Sequence, residues 1–242
     1  MISYIKKAIL FTFTILLTIA VQAQQRDRLA EHNVVCHNET VTHTSVAPDS
    51  MKLREHLESS TLQPRYTLQS GDLLFLTENK SNMEKAIAAS TGEYTHVALV
   101  ERDSADDVWI IEASTKEGVQ RISYEQFKRK HLRGFYGGGI DIYRLTVPFD
   151  TAAVIARAKS LVGKPYDDAF MPDNDAYYCS ELIEVVFGGL FPSKPMNWRD
   201  ADRNLPEYWK KHFEELGMPV PEGIPGTNPT DLSLSPLLKK LQ

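Results

Sequence analysis

Between residues 70 and 145 the apolar positions fall into short runs of strand character, divided by clusters of turn residues. Ser70-Gly71-Asp72 is a turn, and Leu73-Leu74-Phe75-Leu76 after it is a run fit for burial on both faces. Met83–Ser90 has helical spacing and closes at Thr91-Gly92-Glu93. Thr95–Glu101 and Val108–Ser114 are two further strands, and the polar cluster Arg102-Asp103-Ser104-Ala105-Asp106-Asp107 between them predicts a β-hairpin. Gly118–Ile122 is a short strand, Ser123–Lys130 a helix whose Glu125 serves its first turn, and Ile140–Leu145 an alternating strand after the flexible Gly137-Gly138-Gly139. Asp150–Leu161 reads as a helix closed by Gly163, and a strongly apolar helix begins at Cys179 and runs to Gly188-Gly189. Beyond Leu190, prolines at 192, 195, 206, 219, 221, 225, 229 and 236 break the chain into loops and one helix near Glu207–Leu216. The sum is an α+β domain with helices around an antiparallel sheet.

The first residues stand outside this pattern. Lys6 and Lys7 precede an apolar run from Ala8 to Val21, and Val21-Gln22-Ala23 fits a small-x-small cleavage site. The run is short for a membrane span, so residues 1–23 are predicted to be a cleavable signal peptide that directs a secreted or periplasmic protein. The first cysteine, Cys36, lies too far beyond the apolar run for a lipoprotein. Residues 24–65 are polar and irregular, with one helical stretch near Met51–Glu58, and read as an N-terminal extension.

Charge narrows the partners. Loss of residues 1–23, with two Lys and no acid, takes the formal net charge from −5 to −7. A mildly acidic protein without a basic cluster has no general attraction for nucleic acid or anionic lipid, so its substrate is found by a pocket. No stable membrane insertion is expected after signal cleavage.

The chemistry centres on Cys179. Unpaired N–H groups and the positive end of the dipole at a helix start favour a thiolate and offer donors, including the N–H of Cys179, to an oxyanion. A buried free cysteine is also a common small core hydrophobe, and a Cys36–Cys179 disulfide is open to a secreted chain with two cysteines. His96 lies on the predicted strand Thr95–Glu101, where an isolated histidine is more often structural. A hairpin centred on Ser104 pairs residues whose numbers sum to 208, which sets Glu112 opposite His96 and on the same face. A carboxylate there holds an imidazole's tautomer, and a Glu flanked by Ile110, Ile111 and Ala113 is out of place without such a partner. No paired Cys or His spacing suggests a metal, and no cofactor motif is found: the glycine run lacks the Lys-Ser/Thr of a phosphate loop.

Gly71-Asp72-Leu73-Leu74-Phe75, Thr95-His96-Val97-Ala98-Leu99-Val100, Ile111-Glu112-Ala113, Gly163-Lys164-Pro165-Tyr166-Asp167 and Tyr178-Cys179-Ser180-Glu181-Leu182, in this order, resemble the circularly permuted NlpC-type papain-like cysteine hydrolases, the YiiX/YebB-like proteins. The likeness covers roughly Ser70–Leu190, and Pro221-Glu222-Gly223-Ile224-Pro225-Gly226-Thr227-Asn228-Pro229 also looks like the end of such proteins. It implies a permuted papain-like fold with a barrel-like antiparallel sheet, a catalytic core over residues 66–190 and a proline-rich segment, 191–242, packing on it. It also implies roles: Cys179 as nucleophile, His96 as general base and acid, Glu112 as the residue that orients it. Tyr166 and Tyr178 are the candidates to line the substrate cleft, with core packing the alternative for both. Asp72 joins them as a candidate contact, although a turn role suits it better. The implied reaction is amide hydrolysis through a thioester, with cell-wall peptides as substrate class.

An acyltransferase or lipid amidase on the same permuted fold is the nearest rival. Those enzymes pair the catalytic histidine with a second histidine, where this sequence offers Glu112. A binding module that has lost turnover is the more distant alternative.

Overall fold

In a computed structural model, residues 67–77, 80–132 and 139–241 are described. The predicted signal peptide, the 24–65 extension, Cys36 with its possible disulfide, and Gly137-Gly138 lie outside the described residues.

The frame is a six-stranded antiparallel sheet in the order β4-β3-β2-β1-β5-β8. Its strands are β1 (Leu73–Leu76), β2 (His96–Arg102), β3 (Val108–Ser114), β4 (Gly118–Ser123), β5 (Ile140–Leu145) and β8 (Leu238–Lys240). The expected barrel-like closure is not observed: β4 and β8 form the two edges of the order. β6 (Lys194–Pro195) and β7 (Pro225–Gly226) make a separate two-stranded pair. The helices are α1 (Asn82–Thr91), α2 (Tyr124–His131), α3 (Thr151–Ser160), α4 (Cys179–Val186), α5 (Glu207–Glu215) and α6 (Pro229–Ser233).

Alternation along the central strands buries both faces of the sheet. Leu73, Phe75, Val97, Leu99, Ile111 and Ala113 pack with Val154 and Ala158 of α3 and Leu182, Ile183 and Val186 of α4. Leu74, Leu76, Ala98, Val100, Ile110 and Ile142 pack with Phe127 of α2. A third cluster joins Ala86 of α1 to Phe170, Tyr178, Trp198, and Trp209 and Phe213 of α5. The carboxy-terminal segment thereby becomes a wall of the molecule.

Local sequence sets the helix starts. Ser81 and Glu84 form a capping box on α1, and Asp150 caps α3 by accepting from the Ala153 N–H at 2.9 Å. On α2 the capping box uses Ser123 and Gln126, not Glu125, because the third helical position is the one whose side chain reaches back to the cap. α3 ends at Ser160 with Leu161 as its cap, before the predicted Gly163, and α4 ends at Val186, before Gly188.

The hairpin departs from expectation in an instructive way. β2 and β3 pair Leu99 with Ile111 and Arg102 with Val108, so paired numbers sum to 210 and not 208. The tip is longer than expected because the Asp103 carboxylate accepts from the N–H groups of Ala105 and Asp107, and Asp106 takes φ 69°. A slip of two residues preserves the face of every side chain, whereas a slip of one would have turned Glu112 away.

Candidate active site

Glu112 is fully buried, and four groups account for its charge. Its Oε2 receives His96 Nε2 at 2.7 Å and His131 Nε2 at 3.0 Å, and its Oε1 accepts from Gln120 Nε2 and Lys130 Nζ, each at 2.8 Å. Burial alone would raise the carboxyl's pKa; the hydrogen bonds and positive charge of His131 and His96 overcome it and hold Glu112 well below the ordinary carboxylate range. The longer register places Glu112 diagonally from His96, a reach that a glutamate side chain spans.

His96 is the first residue of β2, so its ring stands at the end of the sheet, where side chains from both layers can meet it. Glu112 approaches from the layer that contains Phe127, while Cys179 packs with the layer of Val97, Leu99 and Ile111. Cys179 and His96 border one cavity, and the thiol is the first favourable influence on the charge of the imidazole. With Nε2 committed to Glu112, Nδ1 is the ring nitrogen that remains for sulfur. Burial opposes charge on His96, yet the Cys179 and Glu112 hydrogen bonds outweigh it and push the imidazole pKa up to about 10.

Cys179 is a free thiol, 5% exposed, and the first residue of α4. Tyr178 precedes it in extended conformation, and the Glu181 carboxylate reaches back to accept the Tyr178 N–H at 3.3 Å. The first-turn N–H groups of a helix have no acceptor within the helix, which leaves the end of α4 suited to hold an anionic oxygen beside the sulfur.

The other expected residues divide. Tyr166 lines both cavities that reach Cys179, and burial followed by the nearby Cys179 keeps its phenol neutral, its pKa well above the ordinary value. Tyr178 lines one of them, and its hydroxyl accepts the Thr227 N–H at 3.0 Å. Asp72 is a correction. Its carboxylate bridges Arg144, with Oδ1 2.6 Å from Nε and Oδ2 2.8 Å from Nη2, and also accepts the Gln69 N–H at 2.8 Å. It fastens the turn before β1 to β5 and borders neither cavity.

His131, Lys130 and Gln120 are what sequence reasoning missed. His131 sits in Lys128-Arg129-Lys130-His131, which reads as a solvated helix end. The argument that this chain lacks a second histidine therefore does not stand: His131 stacks on His96 with ring centroids 5.2 Å apart. Its contact is with Glu112, so carboxylate and second histidine are present together.

Among the described residues, no helix is long and apolar enough to cross a membrane. Residues 67–242 match the model of the permuted papain-like amidase enzymes, the YaeF/YiiX, C92 family. The uncharacterized protein YiiX of Escherichia coli (strain K12) is 27% identical over 166 residues, covering 63% of this chain and 75% of YiiX. The crystal structure of metalloprotein YiiX from Escherichia coli O157:H7 superposes with a TM-score of 0.61 at 21% identity, covering 73% of this chain and 98% of that one. The match over residues 67–242 shows that the chain belongs to the permuted papain-like amidase family of YaeF and YiiX.

Proposed function

We propose that this protein is a cysteine amidase in which Cys179 is the nucleophile, His96 the general base and acid, and Glu112 the residue that orients and charges His96. One observation carries the reading: a thiol at a helix start borders the same cavity as an imidazole whose Nε2 is 2.7 Å from a buried carboxylate. In this reading the proton shared by the pair resides on His96. Sγ bonds to the amide carbonyl carbon, the oxyanion is held at the start of α4, and His96 protonates the leaving nitrogen as the C–N bond breaks. His96 then takes a proton from water, whose oxygen attacks the thioester and releases the acid and Cys179. Peptide or isopeptide bonds of cell-wall peptides are the proposed substrates, met outside the cytoplasm if residues 1–23 act as a signal.

The test is direct. Cys179→Ala is expected to abolish hydrolysis of a panel of small peptide amides in protein that still folds cooperatively, and an alkylating probe is expected to label Cys179 alone among the described residues. Turnover surviving in the variant would exclude the covalent route.

His131 favours a second reading, an acyl transferase on the same site, in which an acceptor other than water takes the acyl group. Product analysis with added amine or alcohol acceptors separates the two.

A resident metal is the remaining option, since YiiX is described as a metalloprotein and His96, Glu112 and His131 hold donor atoms within 4.8 Å of one another. The set does not fit a divalent ion well. Glu112 Oε2 already engages both rings, and the Lys130 ammonium, 2.8 Å from Oε1, opposes a second cation. Activity is expected to persist in chelator; loss that added zinc restores would reverse this conclusion.

A further inference from the structure

Cys179 borders two cavities, both largely apolar, of which one also carries charged side chains. One is a wide groove whose walls include His96, Lys130, His131, Glu84 and Asp168. The other is a narrower pocket walled by the aromatic and thioether groups of Phe170, Met196, Trp198 and Trp209. Tyr166 and Cys179 border both.

The narrower pocket contains an anomaly. Ser180 Oγ and Thr227 Oγ1 are buried and have no hydrogen-bond partner among the described residues, and both residues line this pocket. Ser180 is fully buried and Thr227 is 7% exposed. Native interiors seldom leave buried hydroxyls unpaired, because desolvating them without a partner is unfavourable. Two of them at one apolar pocket, beside a nucleophile, mark a place where a ligand's polar atom completes the structure.

Resting on the amidase reading above, the geometry points to this pocket as the site of the substrate's acyl half, and to an acyl group with an apolar body and one hydrogen-bonding atom. An N-acylated apolar amino acid has this chemistry. Direction follows from the proton donor. His96 must reach the departing nitrogen, and it borders the wide groove and not the narrower pocket, so the leaving group lies in the groove. The acyl carbon stays on Sγ, and its substituent is left with the opposite side. There Trp198, Trp209 and Phe170 cover the apolar body while the hydroxyls of Ser180 and Thr227 receive its amide. Hydroxyls both donate and accept, so the pair reads an amide's N–H or its C=O. A plain hydrocarbon chain would leave both oxygens unpaired and is disfavoured for that reason.

Binding of the free acids tests this without requiring turnover. The probes are N-acetyl-leucine and 2-isobutyl-4-methylpentanoate, its hydrocarbon isostere, titrated calorimetrically into the full-chain Cys179→Ala protein. N-acetyl-leucine is expected to bind at least about tenfold tighter. Ser180→Ala and Thr227→Val, each added to this background, are expected to shrink that ratio, and the pair to bring it near one. Thr227→Ser, which keeps the hydroxyl, should retain it and guards against a folding artefact. Equal or tighter binding of the isostere, a ratio indifferent to both substitutions, or binding of neither acid would overturn the assignment. Binding as expected with no turnover of N-acetyl-leucine amides by the parent protein would instead refute the amidase reading alone.

Discussion

His96 and His131 lie one over the other, their planes within 18°, and both direct Nε2 at the same oxygen of Glu112. Two imidazoles on one oxygen compete for a single negative charge, and the ammonium of Lys130 on the other oxygen adds to that demand. His96 meets the thiol and His131 meets Glu112, so in the proposed reading His131 acts through Glu112 and is a positioning residue. Replacing His131 by Ala is expected to lower kcat about tenfold with KM little changed. Equal losses in kcat for His131→Ala and His96→Ala would contradict that division.

Glu112→Gln removes the charge but keeps the shape. Lys130 then faces a neutral amide, and the Gln amide presents a donor where one ring needs an acceptor. We expect kcat to fall by about a hundredfold or more with substrate binding retained. Stability is expected to fall by about 3 kcal/mol, since a buried ion pair loses one partner, measured by denaturant unfolding at neutral pH. An unchanged rate would remove Glu112 from the catalytic group.

The pH profile follows from the signs of two shifts. His96 is raised from 6.5 to about 10, so the stability it contributes is complete below pH 6.5 and is lost as pH rises through about 10. Glu112 is lowered well below 4.5, so its contribution is present above pH 4.5 and is lost as pH falls through its folded value. Activity should hold between these limits and fail on the alkaline side near pH 10. Cys179→Ala deletes the leading favourable partner of the imidazole and should move the alkaline loss of stability to lower pH. Identical melting-temperature profiles for parent and variant would contradict the coupling.

Glu181, on the same helix as the thiol, gives the opposite sign. Burial, then the neighbouring Asp167, raises its carboxyl from 4.5 to about 8. The folded protein binds this proton more tightly than the unfolded chain, so stability declines as pH rises from 4.5 through about 8. Glu181→Gln keeps an acceptor for the Tyr178 N–H and removes the titration. The variant should melt above the parent at pH 9 and level with it at pH 4.5.

Gly118 starts β4 at φ 69°, and a Cβ there would sit 2.2 Å from the carbonyl oxygen of Lys164. The same carbonyl accepts the Val119 N–H at 2.8 Å and stands two residues before Tyr166. Gly118→Ala should cost more than about 2 kcal/mol of stability, because strain and a backbone clash combine. It should also raise KM by displacing Tyr166 from the cavities it borders, read by steady-state kinetics on the folded fraction.

The sheet and the start of the Cys179 helix were legible because alternation, turn clusters and helix starts carry local signals. β3 and β5 fall where the pattern places them, and Cys179 opens its helix as read. The hairpin register was two residues out because Asp103 organises a longer tip than a pattern of strands reveals. His131 was invisible for another reason: its partner, Glu112, is nineteen positions away, and its own neighbours read as a solvated helix end. β8 was missed since Leu238–Lys240 is three residues long and two of them are lysines. Those charges suit an edge strand, where they discourage further pairing. The aromatic pocket was hidden because Phe170, Trp198 and Trp209 become neighbours only through the third core cluster.

Because Thr227, Trp209 and Trp198 all follow Cys179 in the chain, a ribosome making this protein delivers the working parts in a fixed sequence. Imidazole and carboxylate emerge first, the sulfur some eighty residues after His96, and the last wall of the aromatic pocket, Thr227, another fifty residues later. In the proposed reading a half-made copy therefore carries its nucleophile without a place to hold a target, and the capacity to cut arrives only when the last walls are translated.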